Sequence, residues 1–242
     1  MIPKIIHYCW FGRNPLPESA LKCIASWRKF FPDYEIKEWN EDNFDVNMIQ
    51  YTKEAYEAKK YAFVSDYARF WILYKYGGIY FDTDVEVIKT MDDIVERGPF
   101  MGIEVPSENG TYPKVAPGLG LGVTQAHPLY KVLLEMYETL RFKNEDGTLN
   151  QKTIVIYNSE VLRENGLNPT NELQEVAGVW IYPDDYFNPL DSLTGRLELT
   201  ENTRSIHWYM GSWSDKGQLY RWLSRMFHRL FGTRLSKLMR KR

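Results

Sequence analysis

Apolar positions in the first third of the chain switch between two spacings, with proline or polar residues at the points of change. β-Branched and aromatic residues concentrate in 4–11, apolar residues recur at near-helical spacing in 18–31, and strict alternation returns in 34–39. Alternation is typical of half-buried strands and a three-to-four spacing of amphipathic helices. The pattern therefore predicts a strand, a helix and a second strand in that order.

A longer helical pattern follows over 48–76, and it predicts helix with a break near Lys60. The second half carries a stripe of aromatic residues that we expect to be buried: Phe63, Tyr67, Phe70, Trp71 and Tyr74. Gly77 and Gly78 are expected to end the helix, because glycine accepts the positive φ of a helix C-terminus. The apolar segment 79–81 then predicts a short strand that runs into Asp82-Thr83-Asp84.

Periodicity is weaker beyond the Asp-x-Asp segment. Strands are predicted over 85–88, 100–105, 176–182 and 205–208, and helices over 129–142 and from Ser159 to about 166, with a glycine-rich loop at 117–122. Strands that alternate with helices indicate an α/β sandwich with a mostly parallel central sheet.

Composition favours a single soluble domain. The chain has 242 residues, 44% of them apolar, which suffices for one core. We therefore predict one domain over 1–215. No apolar run approaches the roughly 18 residues needed to span a bilayer, and the N-terminus lacks the apolar stretch of a secretion signal. With only Cys9 and Cys23 there is no disulfide framework, so a cytoplasmic location is expected.

Positive charge is concentrated at the C-terminus. Residues 216–242 hold nine Lys or Arg and no Asp or Glu, so the net charge of −2 leaves −11 on residues 1–215. Apolar residues from 219 to 231 recur every three to four positions, with arginines on the other side. This predicts that 217–242 forms a basic amphipathic helix at an anionic membrane surface, or alternatively one docked on the domain. The acidic remainder argues against nucleic-acid binding.

Candidate chemistry centres on Asp82 and Asp84. In open α/β sheets ligands bind beyond the carboxyl ends of strands, and carboxylate oxygens suit Mg²⁺ or Mn²⁺. A solvated turn is the alternative. One helix earlier, Asp66 and Arg69 are three residues apart on one face of an apolar helix, where an unpaired charge would be costly. They are expected either to contact a sugar or to form an internal ion pair that orders the helix.

Taken together, Ser65-Asp-Tyr-Ala-Arg69 and Tyr76-Gly-Gly-Ile-Tyr-Phe-Asp-Thr-Asp84 resemble the central region of glycosyltransferase family 32, the sugar transferases with an Asp-x-Asp motif. The segment 2–12 is similar to that family's N-terminal strand. A more distant similarity connects the chain to the glucosyltransferase domains of clostridial toxins. The resemblance implies a GT-A type fold, a nucleotide-sugar donor, a divalent metal and retention of anomeric configuration.

The same resemblance implies a role for individual residues. Asp82, Asp84 and His207 would hold the metal, Mn²⁺ or Mg²⁺, since imidazole suits Mn²⁺ better. Asp66 and Arg69 would contact the donor sugar and complete the catalytic centre. Further donor contacts are expected from a set spread along the chain: His7, Trp10, Asn158, Ser212 and Trp213. Trp10 could instead be a core aromatic residue, and His207 a hydrogen-bonded strand residue.

These expectations describe one reaction, the transfer of a hexosyl group from a nucleoside-diphosphate sugar, UDP being favoured, to a glycan hydroxyl. The acceptor would be lipid-linked, in bacterial capsular or surface polysaccharide synthesis at the inner face of the membrane. One alternative is a non-catalytic module that binds carbohydrate or membrane. Another is a haloacid-dehalogenase-type phosphatase, although Glu86 stands where that class usually has Thr or Val.

Overall fold

The computed structural model describes residues 1–210, so the predicted tail and two predicted donor contacts, Ser212 and Trp213, lie outside the described residues. The strands are β1 (Ile5–Cys9), β2 (Glu35–Trp39), β3 (Gly78–Tyr80), β4 (Val85–Val87), β5 (Phe100–Val105), β6 (Lys114–Val115), β7 (Leu121–Val123), β8 (Gln174–Val176), β9 (Val179–Tyr182) and β10 (Ser205–His207). The helices are α1 (Glu18–Phe30), α2 (Gln50–Glu57), α3 (Tyr61–Tyr76), α4 (Asp92–Arg97), α5 (Pro128–Glu138), α6 (Ile154–Glu164) and α7 (Asp184–Phe187).

Strands of the central sheet follow the order β2-β1-β3-β7-β5-β9-β8, with β6 added at β5. The pairs β1–β2, β1–β3 and β5–β9 are parallel, whereas β7 is antiparallel to both β3 and β5. Consequently β1, β2, β3, β5 and β9 all point the same way, and their carboxyl ends meet at one edge. The predicted α/β sandwich with a mostly parallel sheet is confirmed over the described residues.

Two hydrophobic cores cover the two faces of this sheet, because neighbouring strand residues point to opposite sides. In β5, Phe100 faces the core beneath α1, α4 and α7, whereas Met101 and Ile103 face the core beneath α2, α3, α5 and α6. Cys9 and Cys23 are buried without a disulfide, one in each core. Within residues 1–210, no helix combines the length and apolar character needed to cross a membrane.

Helix α3 carries the aromatic stripe into the larger core. Phe63, Tyr67 and Phe70 are buried, as the sequence predicts, whereas Trp71 and Tyr74 are half-buried at the edge of that core. The predicted break precedes this helix, where Lys59 has a φ of 57°. Gly77 ends the helix with a φ of 64°, and the chain turns at once into β3.

A separate two-stranded sheet lies next to the Asp-x-Asp segment. Strand β4 follows that segment directly and pairs antiparallel with β10, with His207 opposite Val85. The pairing continues as Trp208 N–H donates to Asp84 O at 2.9 Å. This register brings the C-terminal part of the described chain over the carboxylates, although the two segments are more than a hundred residues apart in sequence.

Four local predictions are wrong. The predicted helix 129–142 ends at Glu138. Ser159 does not begin a helix: it lies inside α6, where its hydroxyl donates to Val155 O. Part of the glycine-rich segment is the sheet strand β7, and the predicted strand 176–182 is a hairpin of β8 and β9 with a turn at Ala177 and Gly178.

Candidate active site

Asp82, Asp84 and His207 converge at the carboxyl edge of the sheet. One ligand atom from each residue lies within 4.8 Å of the others. Strand β3 delivers the two aspartates, and the β4–β10 pairing delivers the histidine. The structure therefore brings together the three residues that the family resemblance implies as metal ligands.

Asp84 connects the motif to the C-terminal segment. Its Oδ1 lies 3.0 Å from His207 Nε2, and its Oδ2 accepts the Met210 N–H at 2.9 Å. Burial opposes ionisation of this carboxyl, but His207 and the Met210 N–H outweigh burial and hold the pKa of Asp84 below its ordinary value. Likewise, burial acts against protonation of His207, yet neighbouring carboxylates, Asp84 first, raise its pKa.

Arg69 connects the motif to helix α3. Its Nη2 lies 3.1 Å from Asp66 Oδ1 and 3.2 Å from Asp82 Oδ1, and its Nε donates to Ser65 O. The guanidinium, with only 4% of the side chain exposed, also lies over the Tyr80 ring. The internal ion pair considered for Asp66 and Arg69 is therefore present. Because its donors are engaged, Arg69 positions the two carboxylates rather than reaching toward a diphosphate.

Asp66 is the most buried of the three aspartates in this cluster. Burial raises the pKa of its carboxyl to about 7, against the opposing effect of Arg69. A backbone hydrogen bond from Ile154, the first residue of α6, favours the charged form. Asp66 thus lies between an arginine and a helix N-terminus, both of which stabilise negative charge.

A cavity of about 450 Å³ opens on these residues. Its lining includes the side chains of Asp66, Arg69, Asp82 and His207. The start of α3, the segment after α5 and the start of α6 contribute apolar residues together with Lys60, Gln151 and Thr153; the apolar ones are Ala62, Phe63, Phe142, Leu149, Ile154 and Val155. This size and this mixture of apolar walls with a few polar groups are typical of small-molecule sites.

Gly118 allows the chain to pass close to the acidic end. A Cβ at this position would lie 2.2 Å from Asp82 Oδ2 and 3.5 Å from Arg69 Nη1. The sequence shows a glycine-rich segment here but gives no sign of this approach. Because Gly118 has no Cβ, the Asp82 carboxylate can occupy the space beside it.

Two further cavity residues, Glu104 and Tyr209, were missed by the sequence analysis. Glu104 lies near the end of β5, where burial raises the pKa of its carboxyl, and Tyr209 Oη donates to it at 3.2 Å. The rule that ligands bind at the carboxyl ends of parallel strands could have identified Glu104. Tyr209 carried no comparable signal.

His7 and Asn158 are corrections to the predicted donor site. His7 is 1% exposed: Trp39 Nε1 donates to its Nδ1, and its Nε2 donates to Gly77 O. Burial lowers the pKa of His7 to about 4, so the ring is neutral. Asn158 is fully buried and donates to Val115 O. Both side chains stabilise the interior and do not line the cavity.

Trp10 is half-buried at the end of β1, where its Nε1 donates to Asn14 O at 2.6 Å and its ring packs on the smaller core. It does not line the cavity. Stacking of this ring on a nucleotide base stays a prediction.

The donor set formed by two carboxylates and an imidazole fits a divalent cation, and a mixed oxygen and nitrogen set suits Mn²⁺. The proximity of the ligand atoms and the space that Gly118 leaves beside Asp82 support this fit. His207 Nδ1 is buried without a hydrogen-bond partner among the described residues. The residues present are therefore compatible with the metal that the resemblance implies.

The fold of this chain is similar to that of a solved glycosyltransferase structure. The solved structure of PaToxG glycosyltransferase matches with a TM-score of 0.51 at 18% identity, covering 67% of this chain and 69% of that one. At this identity the match shows the fold alone, and it agrees with the GT-A type sandwich expected from the resemblance.

Residues 17–101 match the family described as glycosyltransferase sugar-binding region containing DXD motif. The chain thus carries the sugar-binding region of this family, and the resemblance stated from the sequence is confirmed. The matched region includes α3 and the Asp-x-Asp segment.

Two curated relatives extend this result. Inositol phosphoceramide mannosyltransferase 3 of Schizosaccharomyces pombe is 34% identical over 114 residues, which cover 44% of this chain and 31% of that protein. An uncharacterized glycosyltransferase of Acanthamoeba polyphaga mimivirus is 26% identical over 199 residues, covering 78% of this chain and 76% of the relative. The chain thus spans about a third of the mannosyltransferase and about three quarters of the viral protein.

Proposed function

We propose that this chain is a metal-dependent glycosyltransferase that moves a hexosyl group from a nucleoside-diphosphate sugar to a hydroxyl of a glycan. The convergence of Asp82, Asp84 and His207 beside a ligand-sized cavity, which Asp82 and His207 line, carries this proposal. The match of 17–101 to a sugar-binding region supports it. Neither the phosphatase nor the non-catalytic alternative gains an observation of its own.

The two aspartates and His207 are the residues that would hold the cation. A divalent cation bound there would offset the negative charge that develops on the leaving diphosphate. Arg69 keeps Asp82 in place through its guanidinium, and Tyr80 Oη donates to the same carboxylate at 3.2 Å. These contacts fix Asp82 before any substrate arrives, so no reorganisation is needed at the moment of transfer.

Asp66 is the carboxylate that would accept hydrogen bonds from the donor sugar. It lines the cavity, and Arg69 and the start of α6 favour its negative charge. Phe63 and Phe142 form an apolar surface near it, suited to the C–H face of a hexose ring. Holding donor and acceptor in one cavity would supply much of the acceleration through orientation.

The finer features of the proposal come from family resemblance. We favour a UDP-sugar donor, Mn²⁺ as the cation and retention of configuration at the anomeric carbon. A lipid-linked acceptor is in keeping with the S. pombe relative, whose name describes mannosyl transfer to inositol phosphoceramide. Bacterial surface polysaccharide synthesis at the inner face of the membrane is the proposed setting. Residues 217–242, with their basic amphipathic pattern, are proposed to bind anionic lipid there.

Donor hydrolysis tests the proposal directly. The full chain is incubated with a panel of UDP- and GDP-sugars, in Mn²⁺ or in EDTA, and free nucleoside diphosphate is measured. We expect slow Mn²⁺-dependent release from one donor, abolished in Asp84→Asn. Asp33→Asn is the matched control, since Asp33 is 78% exposed and its one ion pair within residues 1–210 is with Lys4 at 3.8 Å; it should behave as wild type.

The opposite result is equally specific. If the wild-type chain releases no diphosphate from any donor and binds neither UDP nor GDP in the presence of Mn²⁺, the transferase proposal is wrong. Phosphate release from a sugar phosphate would then favour the phosphatase.

A further inference from the structure

Glu104 lines the cavity from a different element than Asp66, the one acidic residue of α3. It belongs to β5, which points the same way as β3, so both strands end at the same edge of the sheet. Asp82 and His207 line the same cavity. Glu104 therefore reaches the centre from β5, whereas Asp66 and Arg69 reach it from α3.

A small network holds the Glu104 side chain in place. The Tyr209 hydroxyl has one proton and two acceptors within reach, Asn188 Oδ1 at 2.8 Å and Glu104 Oε1 at 3.2 Å. Asn188 Nδ2 in turn donates to Glu104 O at 2.9 Å. The Tyr209 ring lies 4.2 Å from the His207 ring, centroid to centroid, which fixes the tyrosine as well. The glutamate is thus positioned before ligand binding.

Only one oxygen of Glu104 is engaged by that network. Among the described residues, Oε1 has the Tyr209 hydroxyl within hydrogen-bond distance, and Oε2 makes no hydrogen bond or ion pair. Yet the neighbouring carboxylates are occupied: Asp82 by Arg69, and Asp84 by His207 and Met210. Because Glu104 lines the cavity, a ligand that donates a hydrogen bond to this oxygen would be stabilised by a charge-assisted contact.

We propose that Glu104 Oε2 accepts a hydrogen bond from the hydroxyl of the acceptor that attacks the donor sugar. This inference rests on the proposed glycosyl transfer. In that reaction the anomeric C–O bond to the diphosphate breaks and the acceptor oxygen forms the new bond. The hydroxyl proton leaves with the diphosphate. Glu104 has only to orient the hydroxyl. Through this hydrogen bond the cavity would also recognise the acceptor.

The test separates transfer from hydrolysis. Using the donor identified above, with Mn²⁺, nucleoside diphosphate release is measured without acceptor, and sugar transfer is measured onto methyl glycosides of glucose, galactose and mannose. The variants are Glu104→Ala, Glu104→Gln and Tyr209→Phe. Glu175→Gln, an exposed position on β8, is the matched control. Mn²⁺ affinity is measured for every variant to show that the metal site is intact.

We expect Glu104→Ala to lower kcat/KM for transfer by roughly 10- to 100-fold, the range for a lost hydrogen bond to a charged group, mainly through the KM of the glycoside. Donor hydrolysis should change by less than about threefold, since water needs little orientation. Glu104→Gln should retain part of the transfer activity. Tyr209→Phe keeps the carboxylate and should affect transfer less than Glu104→Ala.

Three outcomes would overturn the inference while leaving the transferase proposal intact, because in each the wild type still hydrolyses the donor. The first is equal loss of transfer and hydrolysis in Glu104→Ala. The second is a loss in Tyr209→Phe as large as in Glu104→Ala, which would give Glu104 a purely structural role. The third is no wild-type transfer to any of the glycosides. Absence of hydrolysis by the wild type would instead refute the proposed function itself.

Discussion

Gly118→Ala introduces one methyl group beside the carboxylate on which the proposed metal site depends. The new Cβ would lie 2.2 Å from Asp82 Oδ2 and 3.2 Å from its Cγ. An ordinary contact needs about 3.4 Å, so the carboxylate or the loop must move by about 1 Å. Asp82 cannot move freely, because Arg69 Nη1 and Nη2 both hold its carboxylate.

A displacement of this size exceeds what metal ligation tolerates, since ligand distances are defined to about 0.2 Å. A 1 Å misplacement in an active site lowers rates by about 100-fold. We therefore expect Gly118→Ala to reduce Mn²⁺-dependent donor hydrolysis by about that factor and to weaken Mn²⁺ binding. Overpacking should also lower the free energy of unfolding by about 1–3 kcal/mol.

Gly122→Ala is the matched control. Its Cβ would lie 2.3 Å from Phe100 Cε1, a clash of similar severity inside the core and away from Asp82. Hydrolysis, Mn²⁺ calorimetry and denaturant unfolding are measured for both variants. The control should be destabilised but bind Mn²⁺ as wild type does. Wild-type Mn²⁺ affinity and hydrolysis in Gly118→Ala would refute the view that the loop must pass this close to Asp82.

Three further predictions follow from the same structure. Arg69→Met should lower the free energy of unfolding by about 3–5 kcal/mol, measured in urea, because it leaves the carboxylates of Asp66 and Asp82 without their cation. Unchanged stability would contradict the role of Arg69 as the partner of both carboxylates. Glu54→Gln should cost about 2–3 kcal/mol at pH 7, because Arg141 and two backbone N–H groups outweigh burial and hold the pKa of Glu54 at about 2. The contribution of Glu54 to stability is complete above the unfolded pKa of about 4.5 and is lost as pH falls toward 2. The free energy of unfolding should therefore fall less steeply with decreasing pH in the variant than in the wild type. Deletion of 217–242 should abolish sedimentation with anionic vesicles but leave donor hydrolysis unchanged; retained vesicle binding would place the contact elsewhere.

The first part of the fold is predictable from sequence because periodicity and packing agree there. Helix α3 shows its buried stripe directly, and the pause near Lys60 appears as a real break between α2 and α3. The glycine-rich segment misleads for a physical reason. Gly120 and Gly122 occur because the rings of Phe81 and Phe100 fill the space of a Cβ, not because the backbone is a loop. Such packing has no local sequence signal.

The candidate site is also predictable from the sequence only in part. Spacing alone pairs Asp66 with Arg69, and resemblance adds His207, which the β4–β10 register does bring to Asp84. Glu104 could not be recognised by spacing, because it reaches the cavity only through the order of strands in the sheet. The donor contact predicted for His7 came from the resemblance of the surrounding segment to the family. That resemblance does not reveal that both ring nitrogens are hydrogen-bonded in the interior.

The two aspartates of the motif are held by different halves of the molecule, although they are two residues apart in sequence. Asp82 is held by Arg69 and hence by α3, whereas Asp84 is held by His207 and the Met210 N–H and hence by the C-terminal segment. A cation bound between them would join these halves at one point. The stability of the folded C-terminal segment and the affinity for the metal must then be coupled. The reason is that a ligand which binds only the folded state stabilises that state by mass action. An acidic pair on an isolated strand could not have this property, which explains why the motif needs the whole sheet around it.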